Sequence, residues 1–242
     1  MTWVQFAVIA AAVFAASLTQ VLSGFGFALL SVPLLTLAIP TKDAVVISTL
    51  LGVGVTTWQA IHSRQHTDRV LARRLVIAAY VGMPLGLWVY IVADDQVLRF
   101  VLGCFVLIAA FLLWRRIDMS RFGTRLDVGA GFLSGVLNTS LSTNGPPLVF
   151  ALQARNLSPD VFRATINTVF ALSNVMGMTL FVAAGRVTTE GIVAAAIALP
   201  ALLLGQVVGF RLRRYVHGER FRILVLGLLV VAGLSAMSSA LR

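Results

Sequence analysis

The sequence predicts an all-α integral membrane protein made of two inverted repeats, each with one broken or re-entrant helix unit and three transmembrane helices. Of the 242 residues, 59% are hydrophobic and only 12% are charged, and the mean hydropathy is +0.94. Soluble domains carry about 25% charged residues, so this composition excludes a water-soluble fold. A spanning helix needs ~20 mostly apolar residues, and apolar runs of that order fill most of the chain. Runs such as 101–113 are apolar on every side, unlike the alternating strands of a membrane β-barrel.

The chain divides into two halves with the same order of elements. The first half, residues 1–114, holds a broken unit at 3–40 and helices at 44–61, 75–93 and 97–114. The second half, residues 127–242, holds a broken unit at 128–152 and helices at 164–185, 191–210 and 221–241, and residues 115–126 link the halves. A single offset carries Gly26 onto Gly145, Pro40 onto Pro159 and Gly86 onto Gly205. The halves are therefore predicted to be related repeats.

Each broken unit contains a break made of residues that are poor helix formers. The first break is Ser23-Gly24-Phe25-Gly26, and its unit is long enough for one crossing helix plus a half-helix or for two steep crossings. The second break runs from Ser142 to Pro147, and residues 128–152 are too few for two full crossings. The second unit is therefore predicted to be a re-entrant hairpin of two half-helices.

The distribution of arginines predicts the orientation, because short cytoplasmic loops of membrane proteins carry the Lys/Arg excess. The arginine-rich connections are 62–74, 115–125 and 211–222, and we expect them to be cytoplasmic. The connections 40–43, 93–96 and 185–190 are poor in arginine and are expected outside. The connections 115–125 and 211–222 lie on the same side of the membrane only if the broken unit between them returns to the side where it began. Each half then crosses three times, which inverts the second half relative to the first.

Other classes of function find no support in the residue pattern. The formal net charge of +10 does not indicate a nucleic-acid partner, because the arginines lie between apolar runs and no soluble fold presents them. His62 and His66 lack accompanying cysteines or paired carboxylates, so no metal site is predicted. The sequence contains no nucleophile-and-base constellation and no phosphate-binding loop, so neither enzymatic activity nor a cofactor is expected.

The two breaks predict a central binding site for an anion. Non-helical backbone at membrane depth must be buried in protein or line a cavity, because lipid offers no hydrogen-bond partner. Half-helix N-termini at such breaks present free N–H groups and the positive end of the helix dipole. Alternatively, the small residues at these positions only allow helices to pack closely. The predicted substrate-binding residues are Ser23, Gly24, Gly26, Asn138, Ser142, Thr143, Asn144 and Gly145.

Four further polar residues are candidates for the cavity or its mouth, namely Gln20, Arg163, Asn167 and Asn174. Asn167 and Asn174 share a helix face, where they line the cavity or form hydrogen bonds between helices. Arg163 begins a helix beside the second break, where it attracts an anion or extends to the membrane surface. No Asp, Glu or Lys lies at the centre of an apolar run, which disfavours a proton relay through a buried carboxylate.

Several segments resemble the sulfite exporter TauE/SafE family over essentially the whole chain. The first-half segment is Leu22-Ser23-Gly24-Phe25-Gly26-Phe27-Ala28-Leu29-Leu30-Ser31-Val32-Pro33-Leu34-Leu35, followed by Ile39-Pro40. The second-half matches are Gly131, Gly135, Pro146-Pro147 and Phe162-Arg163-Ala164-Thr165. The resemblance implies a transporter of the bacterial cytoplasmic membrane that moves sulfite, organosulfonates or related small anions, commonly outward.

The sequence departs from the glycine-rich breaks of that family. Phe25 and Phe27 interrupt the first break, and Ser142-Thr143-Asn144 stands in the second. A pocket richer in side chains suits an organosulfonate or a carboxylate better than sulfite. We therefore expect a secondary transporter or facilitator for a small anion, with the lipid bilayer as its surroundings and a homodimer as a candidate assembly. The alternatives are an anion channel and a membrane assembly protein that transports nothing.

Overall fold

The structure is a computed structural model that describes residues 3–115, 123–212 and 219–240. These ranges contain ten α-helices and no β-strand, which confirms the all-α class. One short 3-10 turn, Arg64–His66, follows the third helix. The helices are α1 Trp3–Ser23, α2 Phe27–Leu35, α3 Thr41–Ser63, α4 Arg69–Val92, α5 Asp95–Arg115, α6 Gly123–Leu141, α7 Gly145–Gln153, α8 Pro159–Ala183, α9 Thr189–Leu212 and α10 Glu219–Ala240.

Six helices of the described chain are long and apolar enough to cross a membrane, namely α1, α3, α4, α5, α8 and α9. In α10, a shorter apolar stretch covers Leu229–Ser238. The helices that overlap the six plain helices expected from the sequence are α3, α4, α5, α8, α9 and α10, and three of them, α3, α5 and α9, extend beyond the expected bounds at both ends. The protein is therefore a multi-pass membrane protein.

Each broken unit consists of one long helix and one short helix. In the first unit α1 has 21 residues and α2 has 9, and in the second α6 has 19 and α7 has 9. At 1.5 Å per residue a nine-residue helix is ~14 Å long, about half the hydrocarbon core. The first arm of the second unit is longer than the half-helix expected from the sequence, because it begins at Gly123 rather than at residue 128.

The two ends of each broken unit lie together. In the first unit the Gln5 side chain, near the start of α1, donates a hydrogen bond to the carbonyl of Ala38, just after α2, at 2.9 Å. In the second unit Arg155, just after α7, pairs with Asp127 in the first turns of α6. Both units therefore fold back on themselves as helical hairpins, and whether residues 3–40 cross the membrane or are re-entrant stays a prediction.

The helices group into two compact units that each combine parts of both halves. The first compact unit contains Met1–Ser48, Ala93–Arg116 and Thr188–Arg242, and the second contains Thr49–Val92 and Ile117–Val187. In the first compact unit α1 packs on α2 and α9, and α10 packs on α5 and α2. In the second, α4 packs on α6 and α8, and α6 packs on α7 and α8. This division differs from the two halves of the sequence, whose relation as inverted repeats stays a prediction.

Glycines bring α4 and α6 into close contact within the second compact unit. A Cβ atom on Gly135 of α6 would fall well inside the contact distance of the Ala79 carbonyl oxygen. A Cβ atom on Gly82 of α4 would approach the backbone of Phe132 and would lie 3.1 Å from the backbone nitrogen of Val136. Small residues at such interfaces let helix backbones approach each other, which is a main source of helix association in membranes.

The same kind of contact recurs in the first compact unit at the equivalent positions. In the second compact unit a Cβ atom on Gly86 would clash with the Val136 carbonyl, and at the equivalent position of the first compact unit a Cβ atom on Gly205 would lie 2.9 Å from the Cβ atom of Ser17. The offset that carries Gly86 onto Gly205 also carries Ser17 onto Val136. In each compact unit, the first arm of one half's broken unit therefore packs on the second plain helix of the other half.

We predict that Gly135→Ala destabilises the protein, because the new Cβ atom has a backbone atom rather than a flexible side chain in its way. Overpacking of this kind costs typically ~1–3 kcal/mol. Thermal unfolding of the purified protein in detergent should show a lower Tm. The matched control is Gly129→Ala on the same helix, where a Cβ atom meets nothing within 4 Å. Equal Tm values for the two variants would contradict the close α4–α6 packing.

Candidate functional site

The second break ends α6 with a cap in which Ser142 adopts a left-handed backbone conformation, with φ of 57°. The Ser142 N–H donates to the Asn138 carbonyl at 2.9 Å and the Thr143 N–H donates to the Leu137 carbonyl at 3.2 Å. The first of these bonds is that of the αL motif, which usually has glycine at the left-handed position, and the second reaches one residue further back along α6. The last carbonyl groups of α6 are therefore partly satisfied, and the chain leaves the helix at Ser142.

The start of α7 is not satisfied in the same way. Pro146 and Pro147 lie in its first turn and have no N–H group, so the free backbone donors of this end reduce to the amides of Asn144 and Gly145. No backbone carbonyl of the described chain accepts a hydrogen bond from either amide. The Asn144 side chain makes no capping bond either. This N-terminus therefore retains donors at the positive end of the helix dipole.

Two buried side chains at the same break also keep donors without a partner. Thr143 is fully buried and Asn144 is 5% exposed, and neither the Thr143 hydroxyl nor the Asn144 Nδ2 atom has a hydrogen-bond partner in the described chain. A buried unsatisfied donor costs about 1–3 kcal/mol. Because several lie within three consecutive residues, they form a candidate position for a bound acceptor.

A chain of amide and hydroxyl groups links three helices next to this break. Asn138 of α6 donates from Nδ2 to Asn174 Oδ1 of α8 at 3.0 Å, and Asn174 donates to the Thr56 hydroxyl of α3 at 3.4 Å. The hydroxyls of Thr49 and Ser142 are hydrogen-bonded at 3.0 Å. Five polar side chains thus hold α3, α6 and α8 together beside the Thr143 and Asn144 donors.

Two glycines make room for the paired amides. A Cβ atom on Gly52 of α3 would lie 2.9 Å from Asn174 Nδ2, and one on Gly177 of α8 would lie 2.5 Å from Asn138 Oδ1. The carboxamides therefore occupy notches that any larger residue would close. The sequence analysis did not identify Gly52, Gly177, Thr49 or Thr56, because isolated glycines and threonines in an apolar run give no sign of which neighbour they face.

The first break lies in the other compact unit and depends on two glycines. Gly24 and Gly26 have φ values of 85° and 100°, which L-residues rarely adopt. The Gly24 N–H donates to the carbonyl of Gln20 at 2.7 Å, and Gly26 is the N-cap residue of α2. Gln20 is 1% exposed, as expected for a residue deep in the fold. The Ser23 side chain lies outside the described part of the chain, and a central site shared by both breaks stays a prediction.

The remaining candidates have different surroundings. Asn174 forms hydrogen bonds between helices, and Asn167, 6% exposed, has an Oδ1 atom without a partner among the described residues. Arg163 lies 3.8 Å from Asp160 on its own helix, and its role at a cavity mouth stays a prediction. The His62 ring contacts the Trp58 carbonyl at 2.9 Å. In the described ranges no group of three or more His, Cys, Asp or Glu side chains could hold a metal ion.

The sequence analysis also missed Asp127, a fully buried carboxylate at the start of α6. Arg155 donates to both of its oxygens, the Nε bond being 3.3 Å long, and Arg74 of α4 approaches at 3.9 Å. Asp127 precedes its apolar run by one residue, where an acidic side chain looks like part of a loop. An acidic residue before a hairpin and an arginine after it are the signal that could have predicted this pair.

Comparisons with known proteins connect this arrangement to a function. The profile of the family described as sulfite exporter TauE/SafE matches residues 9–236. A protein of Comamonas testosteroni, named "Probable inner membrane transporter protein TsaS", is 28% identical over 165 residues. That alignment covers 64% of this chain and 66% of the relative, just under two thirds of its length. No solved structure matches the chain significantly.

We predict that Asp127→Asn lowers the Tm, because Arg155 and Arg74 lose the carboxylate that ties the ends of the hairpin to α4. Loss of a fully buried pair costs ~3–5 kcal/mol, and the partial exposure of both arginines reduces this to about 1–3 kcal/mol. Thermal unfolding in detergent measures the change. Asp160→Asn is the control, since that side chain is 74% exposed and its pair is long. A Tm equal to that of the control would show that Asp127 does not hold the hairpin.

Proposed function

The chain belongs to the sulfite exporter TauE/SafE family, and from this premise we propose that it is a secondary transporter or facilitator for a small organic or sulfur-containing anion in the bacterial inner membrane. The family is one of membrane transporters rather than enzymes. The observation that carries the proposal is the set of buried donors at the start of α7, formed by the Thr143 hydroxyl, the Asn144 side chain and the backbone amides of Asn144 and Gly145.

Donors of this kind suit an anion that must be both bound and released. The helix dipole and the free N–H groups favour negative charge at this position, as at other anion sites on helix N-termini. All four donors are neutral, so they replace the hydration of the anion without the strong attraction of a fixed positive charge. A sulfonate or sulfite group offers more acceptor oxygens than a carboxylate, and it therefore satisfies more of these donors at once.

The network of Asn138, Asn174 and Thr56 has a supporting role in this proposal. Its hydrogen bonds fix the end of α6 against α3 and α8, so that the donors at the break keep one defined position. Binding groups held on rigid elements keep their geometry better than groups on free loops. We propose that the hydrogen bond between Thr49 and Ser142 restrains the backbone directly before Thr143 in the same way.

Alternating access follows from the inverted repeats proposed for the two halves. In this proposal each broken unit returns to the side where it starts, which the contacts between its two ends support, and each half then crosses the membrane an odd number of times. Carriers built on inverted repeats expose a midplane site to either side by rocking one repeat or bundle against the other. The equivalent contacts of Gly86 with Val136 and of Gly205 with Ser17 support this internal symmetry.

We predict that the protein in liposomes takes up a labelled sulfonate faster when unlabelled sulfonate is present inside. The reason is that the binding site of a carrier must return to the outer side after each uptake step, and internal substrate lets it return loaded. The assay compares methanesulfonate, sulfite and acetate, each with and without a pH gradient. Thr143→Val should reduce uptake at low substrate concentration about tenfold, since one hydrogen bond of ~1.4 kcal/mol corresponds to a factor of ten.

The matched control is Thr179→Val, because Thr179 is exposed on α8. Among the described residues its hydroxyl bonds only the carbonyl of Val175, one turn back on its own helix, at 2.9 Å. Rapid flux without stimulation by internal substrate would instead indicate a channel. The absence of flux for all three anions would contradict transport, and equal uptake by the two valine variants would remove Thr143 from the site.

A further inference from the structure

A groove between α4 and α6 is open to the surroundings of the second compact unit and is separate from the buried donors. It has a volume of about 340 Å³. Its four residues from α4 are spaced as one helix face, and its two residues from α6 are one turn apart. The lining residues are Arg74, Ile77, Ala78, Val81, Val128 and Phe132.

The sides of the groove are apolar and accessible. Ile77 is 52% exposed, Val81 66%, Val128 52% and Phe132 39%. These side chains lie on or beside a helix that is long and apolar enough to span the bilayer, so the medium that they meet is hydrocarbon. From Arg74 to Val81 the groove extends roughly 10 Å along α4. The part of an acyl chain nearest the headgroup matches this length, shape and polarity.

One end of the groove carries positive charge. The Arg74 side chain is 47% exposed, and its only described ion pair is the long 3.9 Å contact to Asp127, whose oxygens already accept from Arg155. Arg74 therefore keeps guanidinium donors for another acceptor. Arg73 and Arg125 are exposed on the same ends of α4 and α6. This end belongs to the connections predicted to be cytoplasmic, where anionic lipid headgroups collect.

We propose that this groove is a binding site for an anionic phospholipid, with the headgroup phosphate on the Arg74 guanidinium and one acyl chain along Ile77, Val81 and Phe132. The combination of charge and apolar length carries the assignment, since a small water-soluble anion would leave the apolar sides without a partner. Because α4 packs closely on α6, a lipid seated here also stabilises the first arm of the hairpin.

The test is the thermal unfolding of the full-length protein in a mild detergent with added phosphatidylglycerol or with phosphatidylcholine of the same acyl chains. Phosphatidylglycerol well above its Kd should raise the Tm by about 5 °C, and phosphatidylcholine should have little effect. Glycerol phosphate, which has the charge without the chains, should also have little effect. Equal shifts with both lipids, or an equal shift with glycerol phosphate, would overturn the proposal.

Two variants locate the effect. Arg74→Gln should remove the phosphatidylglycerol shift, whereas Arg115→Gln, at the end of α5 with its side chain over Phe111, should keep it. Because Arg74 also contacts Asp127, a second variant fills the groove without touching that pair. Ile77→Trp should remove the shift and leave the Tm without lipid unchanged, and Ile108→Trp, 56% exposed on α5, should behave as the wild type.

Retention of the full shift in both Arg74→Gln and Ile77→Trp would contradict a lipid in this groove. A change from dimer to monomer in Ile77→Trp, measured by light scattering, would contradict it as well, because it would assign the groove to a second copy of the chain.

Discussion

The bilayer interior supplies no hydrogen-bond partners, and this constraint determines how the second break is built. Wherever a helix stops inside the membrane, its free carbonyls and amides must be satisfied by protein, water or a ligand. At the end of α6 the protein itself satisfies two carbonyls, because the Ser142 and Thr143 amides donate to Asn138 and Leu137. At the start of α7 two prolines remove two amides, and the donors that remain are those of Thr143, Asn144 and Gly145. Among the described residues the break keeps more unpaired donors than acceptors, the buried Asn138 Oδ1 atom being an acceptor without a partner, and this excess of donors supports the proposed anion site.

Close packing and one ion pair keep this break in place. Glycines at the α4–α6 interface let the backbones approach, and the Gly52 and Gly177 notches admit the amides of Asn174 and Asn138. At the opposite end of the hairpin the buried carboxylate of Asp127 holds Arg155 and Arg74. The donors of α7 are thus fixed from both ends of a short helical hairpin rather than presented on a loop.

Much of this architecture was predictable from the sequence, and the reasons for the remainder are physical. Apolar runs of about 20 residues identify spanning helices because bilayer thickness sets their length. Gly24 and Gly26 marked the first break because only glycine adopts such φ values freely. Pro146 and Pro147 marked the start of α7 for a related reason, since proline fits the first turn of a helix.

The choice of neighbour for each helix was not predictable. Helices that are apolar on every side carry no pattern that distinguishes α1·α9 packing from α1·α4 packing. The start of α6 was placed too late because Arg125 and Asp127 look like loop residues, and the burial of Asp127 depends on partners far away in sequence. The network of Asn138, Asn174 and Thr56 joins three helices, so no single segment indicates it.

Hydrogen–deuterium exchange of the peptide 142–148 in lipid nanodiscs tests most directly whether free amides at the second break hold an anion. Pro146 and Pro147 contribute no amide hydrogen, so the Asn144 and Gly145 amides form a large part of the signal. Exchange of these amides should become slower when saturating methanesulfonate is added, with unchanged exchange at residues 63–67. Equal exchange with and without the anion, in a preparation that transports it, would show that these amides do not hold the anion.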